Sequence, residues 1–122
     1  MPKNLQRARA LAFHRQCGLC CYCKDPMWLR DPLDFALQYG ITIPQALQRQ
    51  GTAEHILAKC DGGRNGADNI SAACRCCNQR RHRRSRALDS LRFADFVQLR
   101  MLNGRWHHAS LLDRMPSPRC AS

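Results

Sequence analysis

Residues 52–84 read TAEHILAKCDGGRNGADNISAACRCCNQRRHRR, and this stretch decides the fold. Thr52 to Ala58 has β-compatible character. The run Asp61-Gly62-Gly63-Arg64-Asn65-Gly66-Ala67-Asp68 carries three glycines within six residues and excludes regular structure there. Asn69 to Ala73 reads as a second short strand. A helix is expected from Cys74 or Cys77 to about Arg84. The order is strand, glycine loop, strand, helix, and its last step holds a cysteine pair.

That pair, Cys74-x-x-Cys77, has a counterpart at Cys20-x-x-Cys23. A CxxC turn brings two thiolates to one ion, and zinc prefers four in a tetrahedron. Two such pairs in 122 residues predict one structural zinc on Cys20, Cys23, Cys74 and Cys77. Cys17, Cys21 and Cys76 are spare, and Cys17-x-x-Cys20 overlaps the first pair, so the frame is not unique. Cys20 and Cys23 are preferred because Tyr22 and Lys24 then occupy the knuckle turn. The ion would tie the N-terminal segment to the helix at residue 77 and offset a small core.

Further out, Leu5, Ala8, Leu11 and Ala12 recur at helical spacing and predict a helix over 3–16. A short helix from Pro32 to Tyr39 should stop at Gly40. Thr42 and Gln45 have the spacing of a capping box, opening a helix expected to end near Gly51. Phe93, Phe96, Val97 and Met101 share one face of a helix over 89–102. The chain is read as one domain over 1–112, with a core over 17–86, followed by a flexible tail over 113–122.

Twenty Lys and Arg against nine Asp and Glu give a net charge of +11, which favours a polyanionic partner through counterion release. Arg75, Arg80, Arg81, Arg83, Arg84 and Arg86 form a run without an acid and read as phosphate contacts. Arg7, Arg9, Arg15 and Arg105 would extend the same groove. No apolar run approaches a membrane span, and residues 1–16 are broken by arginines rather than forming an export signal. A cytoplasmic protein without a membrane partner is expected. An odd cysteine count of nine in that compartment argues for metal rather than a disulfide framework.

Between the cysteine pairs stand Glu54-His55-Ile56, Asp61-Gly62-Gly63, Asn69-Ile70, and then Asn78 and His82. This order resembles the HNH endonuclease family: an acidic residue or His before a His on the first strand, a Gly-Gly loop, an Asn, then CxxC followed by Asn or His on a helix. The match covers 20–23 and 52–84. The insert from Met27 to Gln50 and the first and last helices lie outside it. The resemblance implies a small α+β fold, a ββα-metal core with a four-cysteine zinc site and flanking helices. It implies metal-dependent hydrolysis of DNA phosphodiesters leaving 5′-phosphate and 3′-hydroxyl ends, and an Asn69 that braces the loop behind His55.

The chemistry agrees. An imidazole with an ordinary pKa suits proton removal from water, so His55 reads as the general base. Asn78 and His82 are four apart on one helix face, and with Glu54 they would hold Mg²⁺ or Mn²⁺. On a straight strand Glu54 and His55 point to opposite faces. Few features suggest reading of bases, so low sequence specificity is expected. The alternatives are a non-catalytic zinc module that binds nucleic acid, and an accessory subunit that cuts only with partners. Within the family, some phage proteins act with DNA-packaging machinery and others serve restriction.

Overall fold

The structure is a computed structural model, and it describes residues 1–84, 87–107, 110 and 111. Among the described residues, five α-helices surround one antiparallel hairpin: α1 (Lys3–Arg15), α2 (Pro32–Tyr39), α3 (Ile43–Leu47), β1 (Gly51–His55), β2 (Ile70–Cys74), α4 (Arg75–Arg83) and α5 (Ser90–Leu102). The α+β class holds, and β1, β2 and α4 form the ββα unit. The register pairs Gly51 with Cys74, Glu54 with Ser71 and His55 with Ile70. A two-stranded ribbon needs cover to be stable. Helix α1 supplies it: the Gln16 amide donates to the Ala72 carbonyl at 2.8 Å and accepts from its N–H at 2.8 Å, closing the outer edge of β2.

Local chemistry explains the helix ends. Asp31 accepts from the Asp34 amide and caps α2, and Gly40 ends it at φ 64°. Thr42 and Gln45 make the reciprocal capping box of α3. That helix stops at Leu47, short of the expected end near Gly51, because residues 48–50 have another task. The Gln48 and Gln50 carbonyls accept from the Cys76 and Arg75 amides, satisfying the first turn of α4. Strand β1 ends at His55, three residues earlier than expected. Lys59–Asp61 form a 3₁₀ turn, and the amides of Asp61 and Gly63 fold back onto the Ala58 carbonyl. The remaining elements lie within a residue or two of their predicted bounds.

The main core gathers Ala12, Tyr22, Met27, Ala72, Phe93, Val97 and Trp106 around the buried cysteines. A second cluster joins Phe35, Ala36, Tyr39 and Ala46 to Leu111. A buried ion pair, Asp25 with Arg49 at 3.1 Å, also anchors the chain after α5, since Asp25 accepts from Ser110 Oγ and the Leu111 amide. The tail expected to be flexible, and Arg86, lie outside the described residues. No helix among the described residues is long and apolar enough to cross a membrane.

Candidate active site and four-cysteine centre

The knuckle is a tight reversal between Leu19 and Pro26, with Lys24 at φ 65° and its amide bonded to the Cys20 carbonyl. It places Cys20 and Cys23 opposite Cys74 and Cys77, at the end of β2 and the start of α4. All four are buried, and their sulfurs lie within 4.8 Å of one another. Backbone N–H groups of Tyr22 and Cys74 point at the Cys20 sulfur, and that of Cys77 points at Cys74. Trp106 Nε1 donates to Cys77 Sγ at 3.2 Å, and His107 Nε2 lies 3.2 Å from Cys23 Sγ. Burial, with Arg49 nearby, pushes the His107 pKa down to about 4, so its ring is neutral at neutral pH.

The electrostatics of the sulfurs point to a cation. Burial works against ionising Cys20, yet hydrogen bonds from Cys21, Cys23, Cys74 and Cys77 hold its pKa well below the ordinary thiol value. Cys23 is pushed up by its bond to Cys20, and Cys77 by burial and then by the same neighbours. One thiolate therefore suppresses ionisation of Cys23 and Cys77, and a divalent cation would let the thiolates coexist. The cluster is compatible with zinc. Cys21 and Cys76 stand outside it, and Cys17 is disulfide-bonded, one bond where the sequence argued against a disulfide framework.

The second site lies where β1 meets α4. Glu54 is fully buried, and its Oε1 lies 2.8 Å from His82 Nε2. Its Oε2 is ion-paired with Arg81 at 3.3 Å but accepts no hydrogen bond. Asn78 donates through Nδ2 to Thr52 Oγ1 and the Ala53 carbonyl, so only its Oδ1 could meet a cation. A carboxylate, an imidazole and an amide oxygen suit a hard divalent ion with open positions.

His55 is half-buried at the end of β1, and its Nε2 lies 2.8 Å from Asn65 Oδ1. An amide oxygen only accepts, so Nε2 is the donor of this pair, and in the neutral ring Nδ1 would be the acceptor. The loop behind it is bound by Asn69. Its Oδ1 accepts from the Leu57 amide at 2.8 Å, and its Nδ2 donates to the Leu57 and Arg64 carbonyls. The two glycines are required for different reasons. Gly62 has φ 94°, and a Cβ on Gly63 would stand 1.7 Å from the Leu57 carbonyl oxygen.

Residues 42–84 match the model of the HNH endonuclease family. That segment is similar to an HNH domain. It takes in α3, both strands, the glycine loop and nearly all candidate site residues; only the knuckle cysteines come from outside it. No curated protein and no solved structure matches the chain.

The matched segment corrects one expectation from the arginine run. Arg81 is buried, and its guanidinium is used within the protein, so it is not turned to a phosphate. Arg75, Arg80, Arg83 and Arg84 are exposed. Among them, Arg80 lies over the Trp106 ring at 4.6 Å and Arg84 over Phe96 at 5.0 Å. Sequence reasoning missed Asn65, Thr52, Trp106 and His107. Each acts through tertiary contact, and none carries a spacing signal. Tyr22 was noted only as a knuckle residue.

Proposed function

We propose that this chain is a metal-dependent endonuclease that hydrolyses DNA phosphodiester bonds with low sequence specificity. The observation that supports the reading is the pairing of Asn65 with His55 Nε2, which turns Nδ1 into the ring's acceptor, together with the pairing of Glu54 on β1 with His82 on α4. His55 Nδ1 takes the proton of the attacking water. Asn69 and Gly63 fix the segment after His55 and so hold the ring toward that water. Glu54, Asn78 and His82 would hold Mg²⁺ or Mn²⁺, which supplies Lewis-acid stabilisation of the phosphate and of the departing oxygen. Cys20, Cys23, Cys74 and Cys77 would hold a structural zinc that fixes α4 against the knuckle. Arg75 and Arg83 are the arginines of the run best placed to meet the DNA backbone.

Duplex DNA, single-stranded DNA and RNA, end-labelled and incubated with Mg²⁺ or Mn²⁺, test the reading. Cleavage of DNA to 5′-phosphate and 3′-hydroxyl ends is the expected result. Binding without cleavage under every metal would instead identify a zinc module that only binds nucleic acid. Cleavage that appears only with a packaging or restriction partner would identify an accessory subunit.

A further inference from the structure

The most heavily engaged side chain near the candidate active site is one that the proposed chemistry does not use. Arg81 is 3% exposed and reaches five residues in three segments of the chain. Its NH1 donates to the His55 carbonyl at 2.9 Å and to the Tyr22 hydroxyl at 3.2 Å. Its NH2 donates to the Ile56 carbonyl at 3.1 Å, and its Nε to the Leu88 carbonyl at 3.1 Å. The same NH1 lies 3.3 Å from Glu54 Oε2. Tyr22 sits between Cys20 and Cys23 and is itself fixed, its ring packed edge-on against Phe93 at 4.9 Å.

We infer that Arg81 is a positioning residue that couples the four-cysteine centre to the general base, through the path from Tyr22 hydroxyl to Arg81 guanidinium to the His55 and Ile56 carbonyls. The inference rests on His55 being the base. The strand ends at His55, so the carbonyls of His55 and Ile56 leave the ladder where the chain turns away. A planar guanidinium can hold both at once and still neutralise the buried Glu54 carboxylate. A lysine ammonium, a compact charge without the fork, cannot do both. Buried carbonyls and a buried carboxylate without such a partner would be costly, so the segment would shift to reach water. The knuckle supplies the far wall. Moving Tyr22, as loss of the metal would, withdraws one of the acceptors that orient the fork.

A phosphate contact and a positioning role predict different losses. The experiment uses zinc-loaded wild type, Tyr22→Phe, Arg81→Lys and Arg81→Met. It measures zinc content, DNA affinity against salt, kcat and KM, and the ¹³C–¹H resonance of the His55 ring. A displaced base of this kind costs up to about 100-fold in rate. Arg81→Met should lower kcat by about that factor, and Tyr22→Phe by about 10-fold, with KM, DNA affinity and its salt slope unchanged. Arg81→Lys should recover only part of the loss, and the His55 resonance should move in all three variants. Weaker DNA binding with a shallower salt slope and an unchanged kcat in Arg81→Met would overturn the inference in favour of a phosphate contact. Full rescue by Arg81→Lys would reduce the role to charge and overturn it as well. If Arg81→Met does not fold, Tyr22→Phe decides, since it keeps the packed ring and removes only the hydroxyl. If wild type cuts nothing, the proposed function fails by itself. The His55 resonance then still tests the coupling, and a resonance unmoved by Tyr22→Phe and Arg81→Lys contradicts it.

Discussion

The two candidate centres of this molecule sit at opposite ends of the same ββα unit and are built on opposite plans. The four sulfurs are buried and converge on one point, with N–H groups from Tyr22, Cys74, Cys77 and Trp106 aimed at them. At the other end, Glu54 is buried, but the His82 side chain is 34% exposed and His55 is half-buried. Structural metal sites are closed and reactive ones keep open positions. The closed centre belongs to the core, alongside Tyr22, Phe93 and Trp106. The open centre borrows its rigidity from neighbours: Asn65, Asn69, Arg81 and Thr52 each hold a candidate site residue or the backbone beside it. Damage to the first should therefore unfold the protein, and damage to the second should leave a folded protein without activity.

The largest expected effect tests the first half of that contrast. Chelation, or Cys74→Ser, should abolish the cooperative thermal transition, because the binding free energy of a structural zinc is folding free energy, about 10 kcal/mol or more in small zinc domains. The same competition sets the pH dependence. The thiols must lose protons to bind metal, and Cys23 and Cys77 start above the ordinary thiol value, so metal affinity falls as pH falls. Circular dichroism with a zinc indicator reads both. A chelated protein that melts as the loaded one does would erase the distinction between the centres.

Gly63→Ala should come next, and it tests the other half. The added Cβ meets the Leu57 backbone, not a yielding side chain, so the loop that carries Asn65 and Asn69 must move. We expect about 100-fold lower kcat with zinc content intact, as for other displaced catalytic groups. Trp106→Phe should then weaken zinc binding by roughly 10-fold, the scale of losing a partner to a metal ligand, and leave the rate of cleavage of loaded protein unchanged. Competition with a zinc chelator measures it. The smallest effect is expected from Arg75→Ala and Arg83→Ala. Each should weaken DNA binding several-fold and flatten the salt dependence by about one phosphate contact, with kcat unchanged.

Much of this arrangement was legible in the sequence, for reasons that can be stated. Cysteine spacing is a local geometric demand, so Cys20, Cys23, Cys74 and Cys77 could be read directly. Caps are local too, which is why Asp31, Gly40 and the Thr42–Gln45 box fall where a helix must start or stop. Helix ends set by distant partners were not legible. The α3 helix stops early because the Gln48 and Gln50 carbonyls serve α4, a contact across 25 or more positions. The same limit explains Arg81. By composition it is one more cation in a basic run. Only the folded chain shows that it faces Glu54 and the carbonyls after β1. Asn65 and Trp106 are the same case, ordinary residues whose meaning lies wholly in what they touch.

The most direct test of the account is plasmid DNA cleavage by wild type and His55→Ala, both zinc-loaded and equally stable, in Mg²⁺ and in Mn²⁺. Loss of a general base costs about 10² to 10⁴ in rate. The account predicts nicking by wild type and at least about a 100-fold slower reaction in His55→Ala, with DNA affinity unchanged. Equal cutting by the two proteins, or no cutting by wild type in either metal, would contradict it.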